Sequence, residues 1–126
     1  MRIKFRVTTS NYALLVHQIF QNHLTISNGA VRPLNHDLTI TYVGSIKGVK
    51  LGSPDVSNFI VEIATPASIP TLANWLYKNF RTQIRLEIEG REVDLGKSEI
   101  ASVLREKIRL NQNHSFRHND SVTISA

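Results

Sequence analysis

The first ten residues, "MRIKFRVTTS", set Ile3, Phe5 and Val7 in alternation with Arg2, Lys4 and Arg6. A period of two is the mark of a half-buried strand. Ser10 then stands where a helix N-cap belongs, ahead of Tyr12, Leu15, Val16, Ile19 and Phe20 at helical spacing. His17 falls at the boundary of that apolar face, as a partly buried histidine. The helix is expected to stop near His23 or Leu24, because "SNGAVRPLNHD" brings Asn28-Gly29, Pro33 and further turn formers. Leu38, Ile40 and Tyr42 alternate with Thr39 and Thr41, giving a second strand of high β-propensity. The glycine-rich "GSIKGVKLGSPDVSN" reads as turn and loop, with a short edge strand at Val49 to Leu51.

"FIVEIA", from Phe59 to Ala64, reads as a strand by length and β-branching, although periodicity alone does not separate a short apolar run from a helix. Thr65-Pro66 and Ser68 punctuate the chain, and Pro70 fits only the first turn of the helix that follows. Ile69, Leu72, Ala73, Leu76 and Phe80 form one apolar stripe on that helix, so it faces a core. Ile84, Leu86 and Ile88 alternate with charged residues, Gly90 turns the chain, and Val93 and Leu95 return it as a hairpin. Ser98 is placed to cap a last helix bearing Ile100, Val103, Leu104 and Ile108. Residues 112–120 read as a loop, and "SVTISA" (121–126) as a terminal edge strand. The order β-α-β-(β)-β-α-β-β-α-β predicts one α+β domain over 1–126, with a mixed or antiparallel sheet and about three helices on one face.

Composition narrows the setting. The chain has 126 residues, 41% of them apolar and 20% charged, enough for one core and too apolar for global disorder. It has no cysteine, which removes disulfides, thiolate nucleophiles and cysteine zinc sites. The amino terminus lacks the apolar run of a signal peptide, and no segment approaches the ~20 apolar residues of a membrane span. A soluble, cytoplasmic protein with no membrane partner is expected. The net charge of +5 permits contact with nucleic acid or an acidic partner.

Little in the sequence suggests catalysis. "GSIKGVKLGS" matches neither the P-loop nor the dinucleotide spacing and reads as a glycine-rich turn. His114 and His118 stand four apart, but their Asn, Gln and Asp neighbours favour a loop, so no metal site is expected. There is no nucleophile elbow, and the carboxylates Glu87, Glu89, Glu92 and Asp94 read as the solvent side of the hairpin. No catalytic residue and no cofactor follow. A reader of single-stranded nucleic acid needs aromatics on an open sheet face. Phe5, Tyr42 and Phe59 instead share the phase of the inward positions. Generic phosphate contact by Arg2, Lys4, Arg6, Arg105, Lys107 and Arg109 remains as the alternative reading.

Residues 59–108 carry a helix ending in Trp75-Leu76, a strand, a glycine turn and "GREVDL". Leu72, Trp75, Leu76, Ile84, Leu86, Ile88, Gly90, Arg91, Val93 and Leu95 together resemble the effector-associated constant component family. These are small α/β proteins of prokaryotic conflict systems, in which a constant partner is encoded beside variable effectors such as trypsin-like or caspase-like proteases. The resemblance implies a non-enzymatic adaptor or sensor that binds a protein partner. The first half of the chain, with its basic strand, and the closing "SVTISA" depart from the pattern. The residues expected to carry the partner are Trp75 and Tyr77 as aromatic anchors, with Arg81 and Arg85 facing an acidic surface. A homo-oligomer is a further expectation if "SVTISA" or "FIVEIA" lies at an uncovered sheet edge.

Overall fold

The alternation of the first strand is kept residue for residue. In β1 (Arg2–Thr9), Ile3, Phe5, Val7 and Thr9 are buried, while Arg2, Lys4 and Arg6 face solvent. The computed structural model describes residues 1–20, 27–50, 52–94, 96 and 99–109. Its further elements are α1 (Tyr12–Ile19), β2 (Val31–Asn35), β3 (Leu38–Ile46), β4 (Asp55–Ile63), a 3₁₀ turn (Pro66–Ser68), α2 (Ile69–Phe80), β5 (Arg85–Ile88) and β6 (Arg91–Val93). A third helix, α3, is described over 99–109. The sheet is wholly antiparallel, in the order β2-β3-β4-β1-β5-β6, and the architecture is α+β.

All three helices bury their apolar stripes in one core with the inward residues of the sheet. Ile69, Leu72, Ala73, Leu76 and Phe80 of α2 are buried, as are Ile100, Val103, Leu104 and Ile108 of α3. Each such Leu, Ile or Phe contributes roughly 1.5–3 kcal/mol. Among the described residues no helix lies over the other sheet face, an arrangement antiparallel sheets tolerate.

Several expectations are corrected. The N-cap of α1 is Asn11, not Ser10; its side chain accepts from the Leu14 N–H at 3.2 Å. The helix ends at Ile19 with Phe20 as C-cap, earlier than expected, and His17 on it is exposed. Residues 23 and 24 lie outside the described residues. Val31 to Asn35, expected as loop, form the edge strand β2. Its half-buried Arg32 donates to the Ile19 carbonyl, placing a cation at the C-terminus of α1. Ala30 accepts from Tyr42, so the backbone of Val31 and Pro33 points away from the sheet; the proline sits where no N–H is needed.

β3 runs on past Tyr42 through a bulge before Gly44, because a strand reaching Ile46 keeps its partners in β4. No strand forms at Val49 or Lys50, and Leu51 is outside the described residues. β4 starts at Asp55, four residues before "FIVEIA", and it lies between β3 and β1; the edge pairing imagined for it is therefore closed. Ile84 precedes β5 and is 58% exposed, although its N–H still reaches the Thr8 carbonyl at 3.0 Å. The hairpin turns at Glu89 and Gly90, both with positive φ, and Glu89 also accepts from the Lys4 N–H at 2.9 Å. The expected cap at Ser98, the inward Leu95, the 112–120 loop and the 121–126 strand all lie outside the described residues.

Candidate interaction site

At one pole of the sheet, β1 and β3 end while β4 and β5 begin. The strand register aligns Ile46, Val56, Thr8 and Arg85 as a row across β3, β4, β1 and β5 on the open face. At the usual strand spacing this row is about 14 Å wide. The first turn of α1 and the last turn of α2 reach the same pole, because each joins β1 or β5 there.

The loop between β3 and β4 is built rather than draped. Asp55, 8% exposed, accepts from the Gly48 N–H at 2.9 Å and from the Tyr12 N–H at 3.0 Å, so one carboxylate ties the loop to the start of α1. Ser53 N–H donates to the Lys50 carbonyl at 2.9 Å, and Gly52 holds a positive φ of 83° within that turn. The cleft beside it, about 490 Å³, is lined by Asn11, Tyr12, Lys47, Lys50, Ser53 and Asp55 among others. Behind the loop, Ser45 bridges the hydroxyls of Tyr42 and the fully buried Ser57, the latter at 2.7 Å, which satisfies three polar groups beside the bulge.

The Gly48 and Tyr12 N–H groups hold the Asp55 carboxyl below the ordinary aspartate value; burial opposes them and Lys47 assists. With the folded value depressed, the unfolded chain takes up the proton first as pH falls. The stabilisation is therefore complete above the unfolded value of about 3.9, and is lost as pH falls on through the folded value. Asp55→Asn should lower the unfolding temperature at neutral pH and flatten its decline below about pH 4. Thermal melts of both proteins across that range check this; parallel declines would exclude Asp55 as a source.

The four expected anchors do not converge. Trp75 and Tyr77, two residues apart on α2, point about 200° from each other at 3.6 residues per turn. The Trp75 ring stands edge-on to Phe80, 5.6 Å between centroids, and closes one flank of the core. Tyr77 covers the opposite flank, with the Arg81 guanidinium 5.8 Å from its ring centre. Arg85 lies on the open sheet face, paired with Glu92 at 3.5 Å. Tyr77, Arg81 and Arg85 thus lie in the last turn of α2, just after it and on β5, which meet at the pole. Trp75, half-buried like Tyr77, packs on Phe80 along another flank of the same helix.

The six cations of the alternative reading divide across the sheet. Arg2, Lys4 and Arg6 line the open face, whereas Arg105, Lys107 and Arg109 ride on α3 behind it. Arg2 pairs with Glu62 at 3.1 Å and Arg6 with Glu87 at 3.7 Å, so carboxylates from both neighbouring strands answer the basic stripe. Two residues that sequence reasoning passed over stand out instead: Val49, 96% exposed, and Ile46, 66% exposed. Their signal was an apolar side chain inside a lysine- and glycine-rich stretch, Ile46 at the end of β3 and Val49 in the loop after it.

Among the described residues, no three His, Asp or Glu side chains gather to hold a metal, and no helix is long and apolar enough to cross a membrane. Compared with protein-family profiles, curated proteins and solved structures, the chain matches none.

Proposed function

We propose that this protein is a non-enzymatic adaptor or sensor module of the cytoplasm, and that its partner is another protein. The observation that carries the reading is the mixed character of the exposed surface. The arginines of the open face are answered by Glu62, Glu87 and Glu92, while large apolar side chains stay uncovered elsewhere on the surface, among them Ile46, Val31 and Ile84. A phosphate backbone calls for an uninterrupted positive field. A protein interface calls for apolar contacts inside a charged rim, with arginines and aromatics available. Tyr77, Arg81 and Arg85 supply the latter at the pole. The likeness of residues 59–108 to the effector-associated constant component family points the same way, toward a constant partner of variable effectors such as proteases.

The test is recovery of partners on the tagged chain from its own cells, after nuclease treatment, at low and at moderate salt. A protein retained in stoichiometric amount at both salts, and lost with Arg81→Glu, is the expected result. Recovery of nucleic acid alone, falling steeply with salt as counterion release requires, would overturn the reading in favour of a phosphate-binding protein.

A further inference from the structure

We infer that the tip of the β3–β4 loop, Lys47 to Lys50, is the docking knob of this module, and that it fits an apolar socket rimmed by carboxylates on the partner protein. The inference rests on the reading of the partner as a protein, and adds where that partner docks and what its surface must offer.

The first argument is the contrast between the tip and its base. Val49 is 96% exposed, yet the backbone beneath it is fixed by Asp55 on Gly48 and by the Lys50–Ser53 turn. Gly48 lies so close to Ser53 that a Cβ there would sit 2.3 Å from the Ser53 carbonyl oxygen. The chain is thereby anchored on both sides of an uncovered valine, at Gly48 and at Lys50. Ordering that would otherwise oppose binding is already complete in the free protein.

The second argument is charge. Lys47 and Lys50 flank the valine, and neither forms an ion pair among the described residues. Asp55, the acid at the base, has both oxygens turned to backbone N–H groups. Further along the pole stand Lys78 and Arg81, also without ion pairs among the described residues, and the exposed Ile84. An apolar knob whose positive rim meets only Asp55, beside Lys47, is complementary to an apolar socket with a negative one.

Other occupants fit less well. A small anion in the adjoining cleft would meet the Asp55 carboxylate, which already takes the Tyr12 donor at the start of α1. Stable seating on an anionic bilayer takes two signals, an apolar anchor such as an acyl chain together with a basic cluster; the tip offers a single valine, which buries far less than an acyl chain.

Short random peptides displayed on phage and selected on the full chain, with the Val49→Asp variant as counter-selection, provide the probe. The enriched sequences should place an apolar side chain between Asp or Glu residues. One of them, synthesised, should shift the amide resonances of residues 46–50 and 84–85. Its affinity should fall at least about tenfold with Val49→Asp and with Lys50→Glu, while Lys50→Arg retains it and the unfolding midpoints stay unchanged. No enrichment, enrichment without acidic residues, or shifts centred elsewhere would overturn the inference. So would co-sedimentation with phosphatidylserine-containing vesicles that Val49→Asp abolishes, which would make the occupant a bilayer. The two readings fail separately: a partner protein retained equally by Val49→Asp sinks the knob and leaves the adaptor standing.

Discussion

Phe59→Ala should remove about 3–5 kcal/mol of folding stability, a large part of the ~5–15 kcal/mol that holds a typical domain together. Phe59 is the middle ring of a chain that crosses the whole core. Phe20 at the end of α1 meets Tyr42 on β3 at 6.3 Å, and Tyr42 meets Phe59 on β4 at 5.6 Å. Phe59 then meets Phe80 on α2 at 6.0 Å, and Phe80 takes the edge of Trp75 at 5.6 Å. Truncating the middle ring leaves a cavity between two strands and two helices and breaks two ring contacts, each worth about 0.5–1.5 kcal/mol beyond area burial. Phe59→Leu refills most of the volume but loses both ring contacts as well, so it should cost about 1–3 kcal/mol, less than the alanine. Trp75 is the single tryptophan, so urea unfolding followed by its fluorescence reads both variants directly. A loss below about 1.5 kcal/mol for Phe59→Ala would show that the neighbouring rings collapse into the space.

That ring chain was legible as a set of inward residues, since Phe5, Tyr42 and Phe59 share the inward phase of their strands and Phe80 ends the stripe on α2. What the sequence held less clearly was any element interrupted by a residue with two uses. Gly44 reads as a turn, yet here it follows a bulge and the strand continues. Pro33 argues against a strand, yet on the free side of an edge strand it displaces no hydrogen bond. "SPD" reads as a turn, yet the turn closes at Ser53, and Asp55 already belongs to β4, where Thr9 of β1 pairs with it. Ser10 and Asn11 are adjacent and chemically equivalent as caps; the pairing of Tyr12 N–H with Asp55, a long-range contact, goes with the choice of Asn11.

The site was less legible than the fold for a reason of topology. β1 lies between β4 and β5, so residues from three separate stretches of chain meet at one pole. No local pattern announces that Ile46, Thr8 and Arg85 share a row. The angular separation of Trp75 and Tyr77, by contrast, follows from helix geometry alone, and it already divides the two aromatics between opposite flanks.

Gly48→Ala should be the most damaging conservative change in the loop, although it touches neither Val49 nor a lysine. A Cβ at position 48 would stand 2.3 Å from the Ser53 oxygen, 2.7 Å from its carbonyl carbon and 2.8 Å from its Cβ. Two of these are backbone atoms tied to β4, which begins two residues later, so no rotamer change relieves the clash. The loop must open, and the N–H at position 48 must leave Asp55. The expected cost is about 1–3 kcal/mol, with hydrogen-exchange protection lost at the amides of positions 48 and 53. At Gly52, where a Cβ meets nothing within 4 Å, Gly→Ala adds only the strain of a positive φ, of order 1 kcal/mol. If the tip binds because it is held in place, the position-48 variant should also weaken the acidic peptide probe, and the position-52 variant should do so less. Equal weakening by both would attribute the effect to general loosening of the loop; unchanged binding in the position-48 variant would show that the knob needs no preset shape.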